Sequence, residues 1–193
     1  ASVTRAVKIL SDKRMIAPER PLSTKASRET RYRVADPYLR FWLTFVAPQM
    51  PRIERGGGRE VVDRIRAGWE SWRGRAIEPV IRESLARLKL PLGPGGEPGE
   101  VGGYWTRSND PEIDVVIADR APVAKHIYAL GSIKWKANAS FDAQDLGVLL
   151  QHRGQLPGAK AETPLVVVAR AGCSAGDMPG LRVIEPDELL AAW

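Results

Sequence analysis

Glu112-Ile113-Asp114-Val115-Val116-Ile117-Ala118 is an apolar, β-branched run between turn residues, and it reads as a strand over Ile113–Ala118. A turn over Asp119–Val123 leads into a second, longer strand pattern, His126–Lys136, which carries Ile127, Tyr128, Leu130, Ile133 and Trp135. Upstream, Gly103-Tyr104-Trp105-Thr106 gives a short strand. Downstream, Asp142–Arg153 reads as a helix. Leu165-Val166-Val167-Val168-Ala169 has no polar residue, as expected of a strand covered on both faces. Leu181–Ile184 supplies a last strand, and Pro186-Asp187-Glu188 opens a closing helix. Helix, three strands, helix, two strands and helix predict a mixed α/β sheet flanked by helices. An antiparallel meander crosses into a parallel strand.

Residues two apart on a strand share a face, so Glu112 and Asp114 form one pair and Ser132 and Lys134 another. A tight antiparallel hairpin brings the two pairs together. Hard divalent cations take oxygen ligands, commonly one or two carboxylates plus water, so Mg²⁺ is the cation such a site would take, with Asp114 and Glu112 as its ligands. Lys134 could orient a water or neutralise charge developing on a phosphoryl group. Glu78, on the preceding helix, offers a further carboxylate.

The N-terminal part has a different grammar. Val3, Val7, Ile9 and Leu10 mark an amphipathic helix ending near Lys13. A strand begins at Met15-Ile16-Ala17, and Pro18 and Pro21 confine it to an edge or a loop. Arg31-Tyr32-Arg33-Val34 suits a partner strand. Helix, strand, basic turn and strand is how a winged helix-turn-helix domain ends, so the segment reads as a fragment of something larger. Asp36-Pro37 starts an aromatic-rich helix as N-cap and first turn, and Pro48 and Pro51 are expected to end it near Val46. Glu60–Leu88 reads as mostly helical with a break near Gly68 and Gly74, its second part starting near Glu78 because of Pro79. Leu90–Glu100 is a Pro/Gly-rich loop.

Composition bounds the function. The chain has 193 residues, enough to bury a core without metal or disulfide staples. Its one cysteine, Cys173, excludes a disulfide framework and favours a reducing, cytoplasmic setting. No apolar run approaches the ~20 residues of a membrane span. No phosphate-cradling glycine loop is present. Residues 1–35 hold nine Lys and Arg against three acids, which accounts for the whole net charge of +6. Arg5, Lys8, Lys13, Arg14, Lys25, Arg28, Arg31 and Arg33 are the candidate contacts to an anionic partner such as DNA. A solvated basic arm is the open alternative.

The order of these motifs is similar to the PD-(D/E)xK, or restriction-endonuclease-like, nuclease fold: a strand with Asp, a turn, a strand with acid-x-Lys, then a helix. More narrowly, the chain resembles the C-terminal region of archaeal-type AAA+ ATPases. The matching stretches are Tyr32-Arg33-Val34-Ala35-Asp36-Pro37-Tyr38-Leu39-Arg40-Phe41-Trp42, Gly103-Tyr104-Trp105 with Glu112-Ile113-Asp114, and Gly131-Ser132-Ile133-Lys134-Trp135. The resemblance implies residues 1–35 as the tail of a winged helix, and residues 36–193 as a helical connector plus a nuclease-like α/β domain. An ATPase domain of the same protein would precede them. It also implies Asp114, Lys134 and Glu78 as the nuclease-like positions.

One departure matters. Where the family pattern carries Glu on the second strand, Ser132 stands, and a neutral hydroxyl is a poor Mg²⁺ ligand. The expectation is a binding or interaction module with a decayed metal site. An active Mg²⁺-dependent nuclease is the rival, and a protein docking domain that regulates the ATPase is the third reading. His126, His152, Cys173 and Gln151 are expected to be bystanders. Trp69, Trp72 and Trp135 are expected to pack.

Overall fold

The computed structural model describes residues 2–193. Its contacts gather the chain into two units. One holds the chain up to Glu19 together with Thr30–Ala76, and the other holds Arg20–Glu29 and Ile77–Trp193.

The first unit begins with α1 (Val3–Asp12), whose ten residues include no buried side chain. β1 (Ile16–Glu19) and β2 (Arg31–Val34) pair antiparallel, with Ile16 opposite Val34 and Glu19 opposite Arg31. Asp36 then caps α2 (Pro37–Phe41), its carboxylate accepting the Leu39 N–H at 2.6 Å. The prolines do not end the helical path here. A π-helical turn over Trp42–Val46, a 3-10 turn over Ala47–Gln49 and α3 (Met50–Glu54) follow without an extended break. Pro48 and Pro51 each fall in the first two positions of a new short helix, where a missing N–H costs no hydrogen bond.

The expected break near Gly68 and Gly74 is also absent. α4 runs as one helix over Gly58–Leu88, with Pro79 inside it. Proline at 79 cannot donate to the carbonyl of Arg75, four residues back. That carbonyl accepts from the Arg40 guanidinium at 3.1 Å instead, so the lost bond is replaced from outside the helix. Phe41, Phe45, Trp69 and Trp72 pack together, with Trp69 stacked on Trp72 at 5.2 Å and Phe41 edge-on to Trp72 at 5.7 Å. A β-carbon at Gly68 would lie 3.1 Å from the Phe45 ring, so glycine here permits the approach rather than breaking the helix.

The second unit is built on a five-stranded sheet in the order β3 (Glu100–Trp105), β4 (Glu112–Ala118), β5 (Ile127–Lys134), β6 (Leu165–Ala169), β7 (Leu181–Ile184). The first two pairings are antiparallel and the last two parallel, with α5 (Ala143–Gln155) crossing between β5 and β6. All five residues of β6 are buried, as their unbroken apolar run requires. A β-carbon at Gly131 would stand 1.7 Å from the Val166 carbonyl, so only glycine allows β5 and β6 to pair there. One core holds Val116, Leu130, Val167, Leu149 of α5 and Leu156 just after it. The other holds Val115, Ala129, Val166 and Val168 with Ile81 and Leu85 of α4 and Leu189 of α6 (Pro186–Leu190). Helices thus cover both faces. No helix among the described residues is long and apolar enough to cross a membrane.

The loop between β1 and β2 belongs to this second unit. Leu22 is only 1% exposed and sits in the α5-side core. Its N–H donates to the Gly103 carbonyl at 2.8 Å, and Ser23 bridges to Val123.

Candidate functional site

Asp114, Ser132 and Lys134 lie at one end of the sheet. β4 arrives at that end with its first residues and β5 leaves it with its last, because the two run antiparallel. Asp114 Oδ2 accepts the Ser132 hydroxyl at 2.9 Å and the Ile133 N–H at 2.8 Å. The hairpin therefore brings Asp114 to Ser132, as the spacing predicts. The strand is irregular around Asp114. Gly102 pairs with Val116 but Tyr104 with Ile113, so β4 spends one residue more than β3. As a result Ile113 and Val116, three apart, pack into the same core, which strict alternation would forbid. The bulge falls between Ile113 and Val116, so Asp114 lies within it and Glu112 before it. Glu112 is exposed, whereas Asp114 is partly buried.

Burial pushes the Asp114 carboxyl above its ordinary range. The Ile133 N–H, the Ser132 hydroxyl and the Arg82 charge pull it back, and the Glu112 charge adds to the rise. Arg82 links Glu78 to Asp114. Arg82, one turn further along α4, donates from Nη2 to Glu78 Oε2 at 3.2 Å and from Nε to the Asp114 main-chain carbonyl at 2.7 Å.

Lys134 is engaged from the next helix. Its ammonium donates to both carboxylate oxygens of Asp145, at 2.8 and 2.6 Å. Asp145 stands in the first turn of α5, where its carboxylate also accepts the Asp142 N–H while Asp142 caps the N–H groups of Gln144 and Asp145. Burial raises the Asp145 carboxyl. The Lys134 and Asp142 hydrogen bonds and the Lys134 and Lys136 charges outweigh it and hold it below the usual carboxylate range. Asp145 and Arg82 were missed from sequence. The signal for Asp145 was Asp142-x-x-Asp145 at a helix start, the spacing of a capping box. The signal for Arg82 was its position four residues after Glu78.

Among the described residues, no group of three or more His, Cys, Asp or Glu comes together to hold a metal. Asp114 and Asp145 are carboxylates at this end, with Glu112 at the start of β4, Glu78 joined through Arg82 and Asp142 beside Asp145.

The basic candidates are divided between the units. Arg5, Lys8, Lys13 and Arg14 are exposed on or just after α1 in the first unit, and Lys25 and Arg28 are exposed in the second. Arg31 and Arg33, on β2, are partly buried, and Arg33 is closed by an ion pair with Glu19. His126 and Gln151 are exposed, and Trp135 packs against the α4-side core.

The second unit is a mixed sheet with helices on both faces, carrying a carboxylate, a hydroxyl and a lysine–aspartate pair at the end of its central strands. The profile of DUF234, a family described as archaeal and bacterial proteins of unknown function, matches residues 42–146. That span is more than half of the chain and takes in Glu78, Asp114, Ser132, Lys134 and Asp145, and the chain belongs to this family. No curated protein and no solved structure matches it.

Proposed function

We propose that the chain is the C-terminal region of a cytoplasmic AAA+ ATPase: the tail of a winged helix, a helical connector, and a restriction-endonuclease-like unit that associates with nucleic acid and does not cut it. The strand order supports the nuclease-like reading, since two antiparallel pairings are followed by two parallel ones, with Asp114 on the second strand and Lys134 on the third. One observation carries the non-catalytic part. The two groups a nuclease would turn towards a metal and a phosphate are already turned towards the protein. Asp114 Oδ2 is held by Ser132 and Ile133, and Lys134 by Asp145. Metal-assisted phosphodiester hydrolysis needs a cation against the scissile phosphate and an activated water, and Ser132 adds no charge to hold that cation.

The test is cleavage of supercoiled and single-stranded DNA with Mg²⁺ or Mn²⁺ by the unmodified chain and by Asp114→Ala. No cleavage above background is expected from either. Metal-dependent cutting by the unmodified chain that disappears in Asp114→Ala would put the enzyme in place of the binding module.

A second reading rests on Asp145. Its carboxylate meets Lys134 on the face that Ser132 shares, so α5 offers an anionic oxygen where β5 does not. In an active nuclease Asp114 and Asp145 would hold Mg²⁺ between them, and Lys134 would steady the developing phosphoryl charge. This reading expects Asp145→Asn to abolish cutting as completely as Asp114→Ala does.

A further inference from the structure

The end of the sheet opposite Asp114 and Lys134 carries a second assembly of charge. Three loops far apart in sequence meet there. Ser23 donates its N–H to the Pro122 carbonyl at 3.3 Å and accepts the Ala124 N–H at 2.9 Å, which joins the β1–β2 loop to the β4–β5 turn. Thr24 donates to the Pro157 carbonyl at 3.2 Å, which joins the same loop to the connection after α5. These contacts gather Lys25 and Arg28 from the first loop, Arg120 and Lys125 from the second, and Lys160 from the third. All five are exposed.

Each loop is pinned by a side chain on its backbone. The Ser23 hydroxyl donates to the Lys25 carbonyl and accepts the Lys25 N–H, at 3.0 and 3.2 Å. Asp119 Oδ1 accepts the N–H groups of Lys125 and His126, at 2.8 and 3.0 Å. Arg120 Nε donates to the Val123 carbonyl at 3.1 Å, and Thr163 Oγ1 accepts the Lys160 N–H at 2.8 Å. The cations are thus presented from ordered backbone, which lowers the ordering cost of binding. Five acids share the rim. Glu29, Glu97 and Glu100 are exposed, Asp119 is committed to the two backbone N–H groups, and Glu162 lies 4.0 Å from Lys160 with both side chains 76% exposed, a pairing worth little against a polyanion.

We propose that this three-loop rim is the surface through which the sheet unit meets nucleic acid, by its phosphodiester backbone and without reading sequence. The inference rests on the nucleic-acid reading above and moves the contact away from the nuclease-like residues. β5 spans eight residues between the rim and Lys134, about 25 Å at the usual strand rise. A protein partner fits less well. Stable protein interfaces centre on aromatic or apolar anchors, and the exposed large hydrophobic side chain on these loops is Val123. Scattered Lys and Arg on fixed loops, with Ser and Thr between them, is instead the chemistry of backbone contact to phosphates.

The experiment is fluorescence anisotropy of the full chain with a labelled 20-base-pair duplex over a salt series, comparing Lys25→Ala/Lys125→Ala/Lys160→Ala with Arg5→Ala/Lys8→Ala on α1. Circular dichroism confirms that both variants fold, and since all five side chains are exposed, neither change removes core. The triple variant is expected to lose at least tenfold in affinity and to lower the slope of log K on log salt by about 2.7, at about 0.9 per phosphate contact. Loss in the α1 variant with none in the triple variant overturns the rim while leaving the nucleic-acid reading in place. Absence of salt-dependent binding by the unmodified chain overturns both. Binding of an acidic protein such as ovalbumin with the same affinity and the same sensitivity to the triple variant overturns the nucleic-acid assignment of the rim.

Discussion

Lys134 Nζ lies 2.8 and 2.6 Å from the two carboxylate oxygens of Asp145, so the lysine of β5 and the first turn of α5 form one ionic clasp. The clasp closes the crossover between β5 and β6 at the point where the chain leaves the sheet. It is partly buried, with the two side chains 22% and 28% exposed, so water screens it less than a surface pair. Asp145 also completes the α5 cap, so one carboxylate serves the helix start and the strand end together.

Asp145→Asn is therefore expected to destabilise the chain by about 1–3 kcal/mol at neutral pH, through the charge-assisted bonds to Lys134 and the weakened cap. The sign of the pH dependence follows from the direction of the shift. Asp145 is held below its ordinary value, so its stabilisation is present above the ordinary aspartate range and is lost as pH falls through its own depressed pKa. Thermal melts across an acid series should show the gap between the unmodified chain and Asp145→Asn closing at the acid end. A gap independent of pH would mean that the pair contributes no charge term.

Asp114 has the opposite sign. Its carboxyl is raised, chiefly by burial, so ionising it costs folding free energy. The penalty is absent below the ordinary aspartate value of 3.8 and grows as pH rises from there through the raised pKa. Asp114→Asn keeps an oxygen to accept from Ser132 and Ile133 and removes the charge. Its melting temperature is expected to exceed that of the unmodified chain at pH 7 and to match it at the acid end. A lower melting temperature for Asp114→Asn at pH 7 would show that the charged hydrogen bonds outweigh the burial.

Ser132→Glu should expose the metal chemistry latent in this end of the sheet. The new carboxylate would stand beside Asp114 on the face shared with Lys134, and two close carboxylates repel unless a cation joins them. The variant is expected to melt below the unmodified chain without metal and to rise by several degrees on adding millimolar Mn²⁺, as binding to the folded state alone requires. An equal Mn²⁺ response in the unmodified chain would indicate that Asp114 and Asp145 already bind the ion.

Much of the sheet was legible because its strands obey simple rules. β6 and β7 fall on the residues their apolar patterns mark, and the Asp114–Ser132 meeting follows from two strands joined by a turn. What was not legible depended on partners distant in sequence. Nothing local to Pro79 says that Arg40 will answer the carbonyl it orphans, so a helical part beginning near Glu78 is expected where α4 is continuous. Nothing local to Lys134 distinguishes a lysine facing a phosphate from one closed on Asp145, eleven residues later. The bulge around Asp114 is likewise set by the pairing of β3 with β4, which the sequence of β4 alone does not contain.

The same dependence on distant partners governs the β1–β2 loop, and it decides how the N-terminal basic segment can be studied. Leu22 is 1% exposed within the core formed by Val116, Leu130, Phe141 and Leu149, and a β-carbon at Gly102 would lie 3.2 Å from its side chain. Its backbone and that of its neighbours bond to Gly103, Pro122, Ala124 and Pro157. Removing residues 1–35 to eliminate the basic charge would therefore also pull Leu22 out of the sheet unit. Leu22→Ala alone is expected to cost about 2–5 kcal/mol, the range for deleting a buried leucine that leaves a cavity. Urea titration of the full chain followed by circular dichroism measures it. The midpoint should fall clearly below that of the unmodified chain, and a chain truncated to 36–193 should fall lower still, because it loses the strand bridge at Ser23 as well. Charge substitutions in the full chain are for this reason the cleaner probe of nucleic-acid contact. A midpoint unchanged by Leu22→Ala would mean that the loop adds nothing to the core, and truncation could then serve to test binding.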